Sequence, residues 1–159
     1  MKKGQTKLYN VLFPIWMFYF LPTVVWLILL PGNFLIDSLV LLAAMKVFGI
    51  AGKLAIWKRS ILKVWLFGFA ADFAGGGVVF ALMLLLERLA PRLNTFLIPG
   101  GQIIVLPGIA LAGWLIYLLN KTFSFRGTGL AEGEIRRLSL SLALWTAPYT
   151  MLIPVEWIY

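Results

Sequence analysis

Asp72 is the residue in this chain best placed to do chemistry, because it is an acid set deep in an apolar run, Phe69-Ala70-Ala71-Asp72-Phe73-Ala74-Gly75-Gly76-Gly77. A charged group near the middle of a bilayer costs roughly 2.5–3.5 kcal/mol or more unless it is paired or hydrated. It therefore needs a partner, and Lys46 offers one. Counting ~1.5 Å per helical residue from the end of each apolar run puts Asp72 about 12 Å and Lys46 about 10 Å below the same surface. Tyr19 and Thr146 come out at similar depth, so the four side chains make a candidate polar layer for an ion or a solute. The competing reading has Lys46 snorkelling to the surface while one hydroxyl or backbone group satisfies Asp72, which then only fixes helix register.

Glycines surround the acid. At helical spacing Gly68, Asp72, Gly75 and Gly76 share one face, leaving room beside the carboxylate for water or an ion, with tight packing in a weak helix as the simpler alternative. Ala70, Ala74, Gly77 and Ala81 share another face, which suits close helix packing. The site candidates are thus Asp72, Lys46, Gly75, Gly76, Tyr19 and Thr146. Pro148, in Thr146-Ala147-Pro148-Tyr149-Thr150, frees the carbonyl of Leu144 and sets hydroxyls near it, with a kink as the simplest outcome. Asp37, Gln102 and Glu156 fall toward the outer interface and read as solvated.

Other chemistries lack their residues. The chain has no histidine and no cysteine, so the common metal ligands, the His general base and the Cys nucleophile are missing. Its acids, Asp37, Asp72, Glu87, Glu132, Glu134 and Glu156, are too scattered to hold a divalent ion and a phosphate together. The expectation is no metal, no cofactor and no enzyme, with a lipid-modifying activity trailing the other functional classes. No motif is specific enough to name a family.

The elements that must position these residues are membrane spans. With 62% hydrophobic and 13% charged residues among 159 and a mean hydropathy of +0.95, the chain lies far from globular averages. Its apolar runs are long enough to cross hydrocarbon, which takes about 20 helical residues. The expected fold is all-α, a polytopic bundle of about five transmembrane helices over 11–30, 34–52, 64–86, 96–119 and 138–155, with no soluble domain. The first run is too long for a signal peptide's core and lacks a small-residue cleavage site, so it reads as a retained span. Pro31-Gly32-Asn33 is expected to turn it into the second. Pro99-Gly100-Gly101 reads as an interfacial loop before the fourth.

The formal charge of +8 sits between the spans. Lys53, Lys58, Arg59 and Lys63, interleaved with Leu54, Ile56, Trp57, Ile61 and Leu62, suggest a short amphipathic surface helix that contacts anionic lipid headgroups, with a plain basic loop as the alternative. Basic loops collect on the cytoplasmic side, which orients the N-terminus inward and the C-terminus outward in a cell membrane and argues against nucleic acid as a partner. Two functions follow. One is a transport component, carrier or channel, with a mid-membrane site around Asp72. The other is a non-catalytic accessory subunit. Five spans enclose little volume, so either implies a homo-oligomer or other membrane subunits.

Overall fold

Pro31-Gly32-Asn33 does not turn the chain. In the computed structural model, which describes residues 26–89 and 101–153, helix α1 runs Trp26–Val47 with Pro31 inside it. Proline removes one backbone donor, but a turn within hydrocarbon would leave many more backbone groups unpaired, so a membrane helix carries the proline more cheaply. The Trp65 indole N–H donates to the Leu30 carbonyl at 3.1 Å, pinning the helix beside the proline to its neighbour. The expected hairpin between the first two spans is therefore replaced by one helix. The first span before Trp26 lies outside the described residues.

A glycine stops α1. The Ile50 N–H donates to the Met45 carbonyl at 3.0 Å and the Gly49 N–H to that of Lys46 at 3.3 Å. Gly49 carries a φ of 67°, the left-handed conformation that lets a helix end in this way. Helix α2 then runs Lys53–Leu89 over 37 residues, roughly 55 Å of uninterrupted helix. The basic segment 53–63 and the expected third span are thus one element, neither a separate surface helix nor a loop.

The next run opens with a 3-10 turn, Gly101–Val105, passes into α3, Leu106–Leu119, and closes with a π-helical turn, Asn120–Ser124. Gly127 and Gly129, at φ of 76° and 77°, turn the chain into α4, Glu132–Trp145. Helix α4 starts earlier than the expected Leu138, because Glu134 accepts from the Ala131 N–H at 2.9 Å and two acids in the first turn complement the helix dipole. Its 14 residues reach about 21 Å. It stops at Trp145, and after Pro148 a 3-10 turn takes over at Tyr149–Leu152. The expected span over 138–155 is therefore broken where only a kink was foreseen.

Among the described residues every regular element is a helix and none is a strand. Three helical stretches among these residues, Trp26–Val47, Lys53–Leu89 and Ile103–Ser124, each holding an 18-residue window with a mean hydropathy of 2.0, are long and apolar enough to cross a membrane, where the sequence suggested about five spans. Large apolar side chains point outward along them, among them Leu27, Leu66 and Ile103 at 60–73% exposure. Such a surface fits hydrocarbon as its solvent, since soluble monomers rarely expose apolar patches of that extent.

Inside, two apolar clusters stack along the bundle. One joins all four helices through Leu41, Met45, Val64, Ile116, Leu138 and Leu142. The other gathers Val79, Val105, Ile109, Ala147 and Met151. Helices α2 and α3 cross at Gly75 and Gly108, where a Cβ on Gly75 would lie 2.5 Å from the Gly108 carbonyl oxygen. Within the described bundle α2 packs through its other small-residue face. Ala70 and Ala81 are exposed, and a Cβ on Gly77 would meet nothing within 4 Å. The tight seam lies on the Asp72 side of the helix.

Candidate functional site

Two aspartates share a cavity at the level where the first apolar cluster gives way to the second. Asp37 lies midway along the 22-residue α1, roughly 16 Å from its start. Asp72 lies near the middle of α2. Both are buried, at 5% and 7% exposure. They line one cavity of about 240 Å³ together with Asn33, Phe69, Trp145 and Tyr149.

Each helix makes room in its own way. Asn33 and Asp37 are four residues apart on α1, hence on one face, as are Gly68 and Asp72 on α2. Gly68 has no side chain to fill the gap: a Cβ there would stand 3.5 Å from Asp37 Oδ2. The third wall is the broken end of α4. Thr146 Oγ1 donates to the Leu142 carbonyl at 2.8 Å, and Tyr149 Oη donates to the Leu144 carbonyl at 2.9 Å. The second bond occupies the carbonyl that Pro148 frees, so the break is satisfied locally and stays open toward the aspartates.

The carboxylates have no such provision. Among the described residues Asp72 Oδ1 is buried without a hydrogen-bond partner, and no basic side chain lines the cavity. Ser38 Oγ, Trp57 Nε1 and Ser139 Oγ are also unpaired among the described residues. Of these groups Asp72 alone faces the cavity. A buried polar atom without a partner costs about 1–3 kcal/mol, more when charged.

The aromatic wall is braced from behind. Phe69 stacks on Trp26 at 6.0 Å between ring centroids and meets Trp65 edge-on at 5.5 Å. A ring held on two sides keeps its face where it is, whereas Trp145, 73% exposed, stands at the mouth.

The predicted partner of Asp72 is elsewhere. Lys46 is exposed in the last turn of α1, while Asp72 sits about 28 Å along α2 from Lys53. The depths seemed to match because the count for Asp72 began at the expected start of the third span, and α2 begins 11 residues earlier. Thr146 does join Asp72 at the cavity. Gly75 serves the α3 crossing instead, Gly76 is buried on the same helix, and Gly68 opens the space. Tyr19 and Glu156 lie outside the described residues.

Asp37 is the residue the sequence reading missed. A turn at 31–33 would leave it solvated near the surface; without the turn it is mid-span. The Asn33–Asp37 spacing, two polar groups on one face of an apolar helix, was the signal available. At the basic end, Lys58, Arg59 and Lys63 are exposed, and the Arg59 guanidinium donates to the Gly127 carbonyl at 3.0 Å, so it ties the α3–α4 loop to α2.

The site stands without a precedent to interpret it: no family model, no curated protein and no solved structure matches this chain.

Proposed function

We propose that the chain is a membrane transport component that holds a cation between Asp37 and Asp72. One observation supports this above the rest: two buried carboxylates on neighbouring helices face one cavity, and none of the described residues that line it is basic. Two acids in a poorly solvated space need either protons or a counter-charge, and a cation that enters and leaves, exchanging with those protons, provides the second. The unwound stretch after Trp145 fits the same picture, since non-helical backbone at membrane depth is tolerated where it lines a cavity. In this reading the chain carries out no covalent chemistry and needs no cofactor.

The orientation is part of the proposal. Lys46, Lys53, Lys58, Arg59, Lys63, Lys121, Arg126, Arg136 and Arg137 gather at the end where α1 meets α2 and α3 meets α4. Basic residues favour the cytoplasmic side, where that end would also contact anionic lipid.

A second reading, an accessory subunit, has its own support. Ala70, Ala74, Gly77 and Ala81 form a stripe of small residues with exposed ends at Ala70 and Ala81, a surface against which another helix can pack closely. Flux of cations into proteoliposomes decides between the two. Uptake by the wild type that falls at least tenfold in both Asp37→Asn and Asp72→Asn is expected. Absence of uptake from a correctly folded wild type leaves the accessory reading.

A further inference from the structure

The walls of the cavity say more about the cation than the carboxylates do. We infer that the ligand is a small organic cation bearing a primary ammonium group, and this rests on the cation-site reading above.

Size argues first. At about 240 Å³ the cavity is far wider than a bare metal ion, whose oxygen ligands must close to about 2.3–2.6 Å on six or more sides. It falls just below the ~300–1,000 Å³ of sites for drug-sized ligands, which suits a molecule of several heavy atoms. No group of three or more His, Cys, Asp or Glu side chains able to hold a metal occurs among the described residues.

The lining argues next. Phe69, Trp145 and Tyr149 bring three aromatic rings to a space that also holds two carboxylates. An inorganic cation gains little from a mostly apolar wall, whereas an organic cation buries its carbon skeleton against it and sets its charge over a ring face. Phe69, buried and braced by Trp26 and Trp65, is the fixed surface for that skeleton.

Hydrogen bonding then chooses the kind of ammonium. Asp72 Oδ1, in a side chain 7% exposed, has no donor among the described residues. Tyr149 and Thr146 spend their hydroxyl protons on the Leu144 and Leu142 carbonyls, so they do not supply one. A primary ammonium brings three N–H donors and can serve both carboxylates at once. A quaternary ammonium matches the charge and leaves the oxygen unpaired.

The test is calorimetric titration of the full chain in lipid nanodiscs with benzylammonium, tetramethylammonium, Ca²⁺, Mn²⁺ and, as a measure of mere partitioning, benzyl alcohol. Benzylammonium is expected to bind saturably and at least tenfold more tightly than tetramethylammonium. Its affinity should fall tenfold or more in Asp72→Asn and about twofold to thirtyfold in Trp145→Ala, the range of a cation–π contact. It should vanish in Gly68→Leu, with circular dichroism and elution volume unchanged in each variant. Binding of Ca²⁺ or Mn²⁺ that needs both aspartates, without benzylammonium binding, overturns the organic ligand and keeps the cation site. Failure of every cation to bind overturns both. Benzylammonium binding that persists in Asp72→Asn and Gly68→Leu removes the ligand from this cavity, as does binding no stronger than that of benzyl alcohol.

Discussion

Two polar regions are buried in this bundle, and they are built on opposite principles. Toward the basic end, Ser60 Oγ donates to the Ile56 carbonyl at 2.8 Å, Asn120 Nδ2 to that of Ile116 at 2.8 Å, and Ser124 Oγ to Asn120 Oδ1 at 2.6 Å. All three residues are fully buried, and each donor finds its acceptor one helical turn away. Around the cavity, two acids face one another from different helices and Asp72 Oδ1 has no partner. The first region is neutral, closed and satisfied by its own helix. The second is acidic, lies beside open space, and is not satisfied by its own helices. Burial of polar groups alone does not mark a site; burial without local satisfaction, beside open space, does.

The comparison is broken most severely through the seam that holds both regions together. Gly75→Leu should prevent α2 and α3 from approaching, because even a Cβ meets the Gly108 backbone at 2.5 Å. Overpacking costs about 1–3 kcal/mol where side chains can yield and more where backbone stands in the way. Loss of the monodisperse peak in detergent is expected. Gly77→Leu, with nothing within 4 Å of its Cβ, should elute as wild type; the reverse order would mean the packing face is misassigned.

A smaller effect, opposite in sign between the regions, sharpens the contrast. Asn120→Ala should destabilise by about 1 kcal/mol, since it removes one satisfied bond and leaves Ser124 without its acceptor. Asp72→Asn should raise the melting temperature in detergent while lowering cation uptake, because it relieves an unpaired buried charge. Stabilisation and loss of function in one variant is what a functional site in a strained setting gives. If Asp72→Asn destabilises as Asn120→Ala does, the two regions are alike and the acid is structural.

The basic end offers a milder test. Arg59→Ala should release the 125–129 loop, at a cost of about 0.5–1.5 kcal/mol for the bond to Gly127. Neutralising Lys58 and Lys63, which make no such bond among those described, should leave stability unchanged and reduce co-purifying anionic lipid, each residue being worth about 1 kcal/mol at the surface. Equal effects on stability from all three would show that none is reserved for lipid.

The smallest expected effect concerns Lys46. A double-mutant cycle of Lys46→Met with Asp72→Leu should give a coupling within about 0.3–0.5 kcal/mol of zero, the limit for independent sites. A larger coupling restores the ion pair that the sequence suggested and supplies the partner Asp72 lacks.

The sequence by itself determined the solvent and the helical class. Apolar runs long enough to cross hydrocarbon, broken by basic segments, admit little else, and that information is carried by composition and length. It also singled out Asp72, since an acid inside such a run is conspicuous without a structure, and it foresaw that Pro148 would free the Leu144 carbonyl. Register and pairing were beyond it. Whether Pro31-Gly32-Asn33 turns or stays helical depends on what lies beside it, here Trp65 from another helix, and that one choice moved Asp37 from the surface to mid-span. Likewise the crossing of Gly75 on Gly108 decided which face of α2 is packed, a preference that helical spacing leaves open because both faces carry small residues. Only the tertiary structure set Asp37 opposite Asp72 and gave them a cavity, because the two acids lie 35 residues apart on different helices and nothing local to either specifies the other.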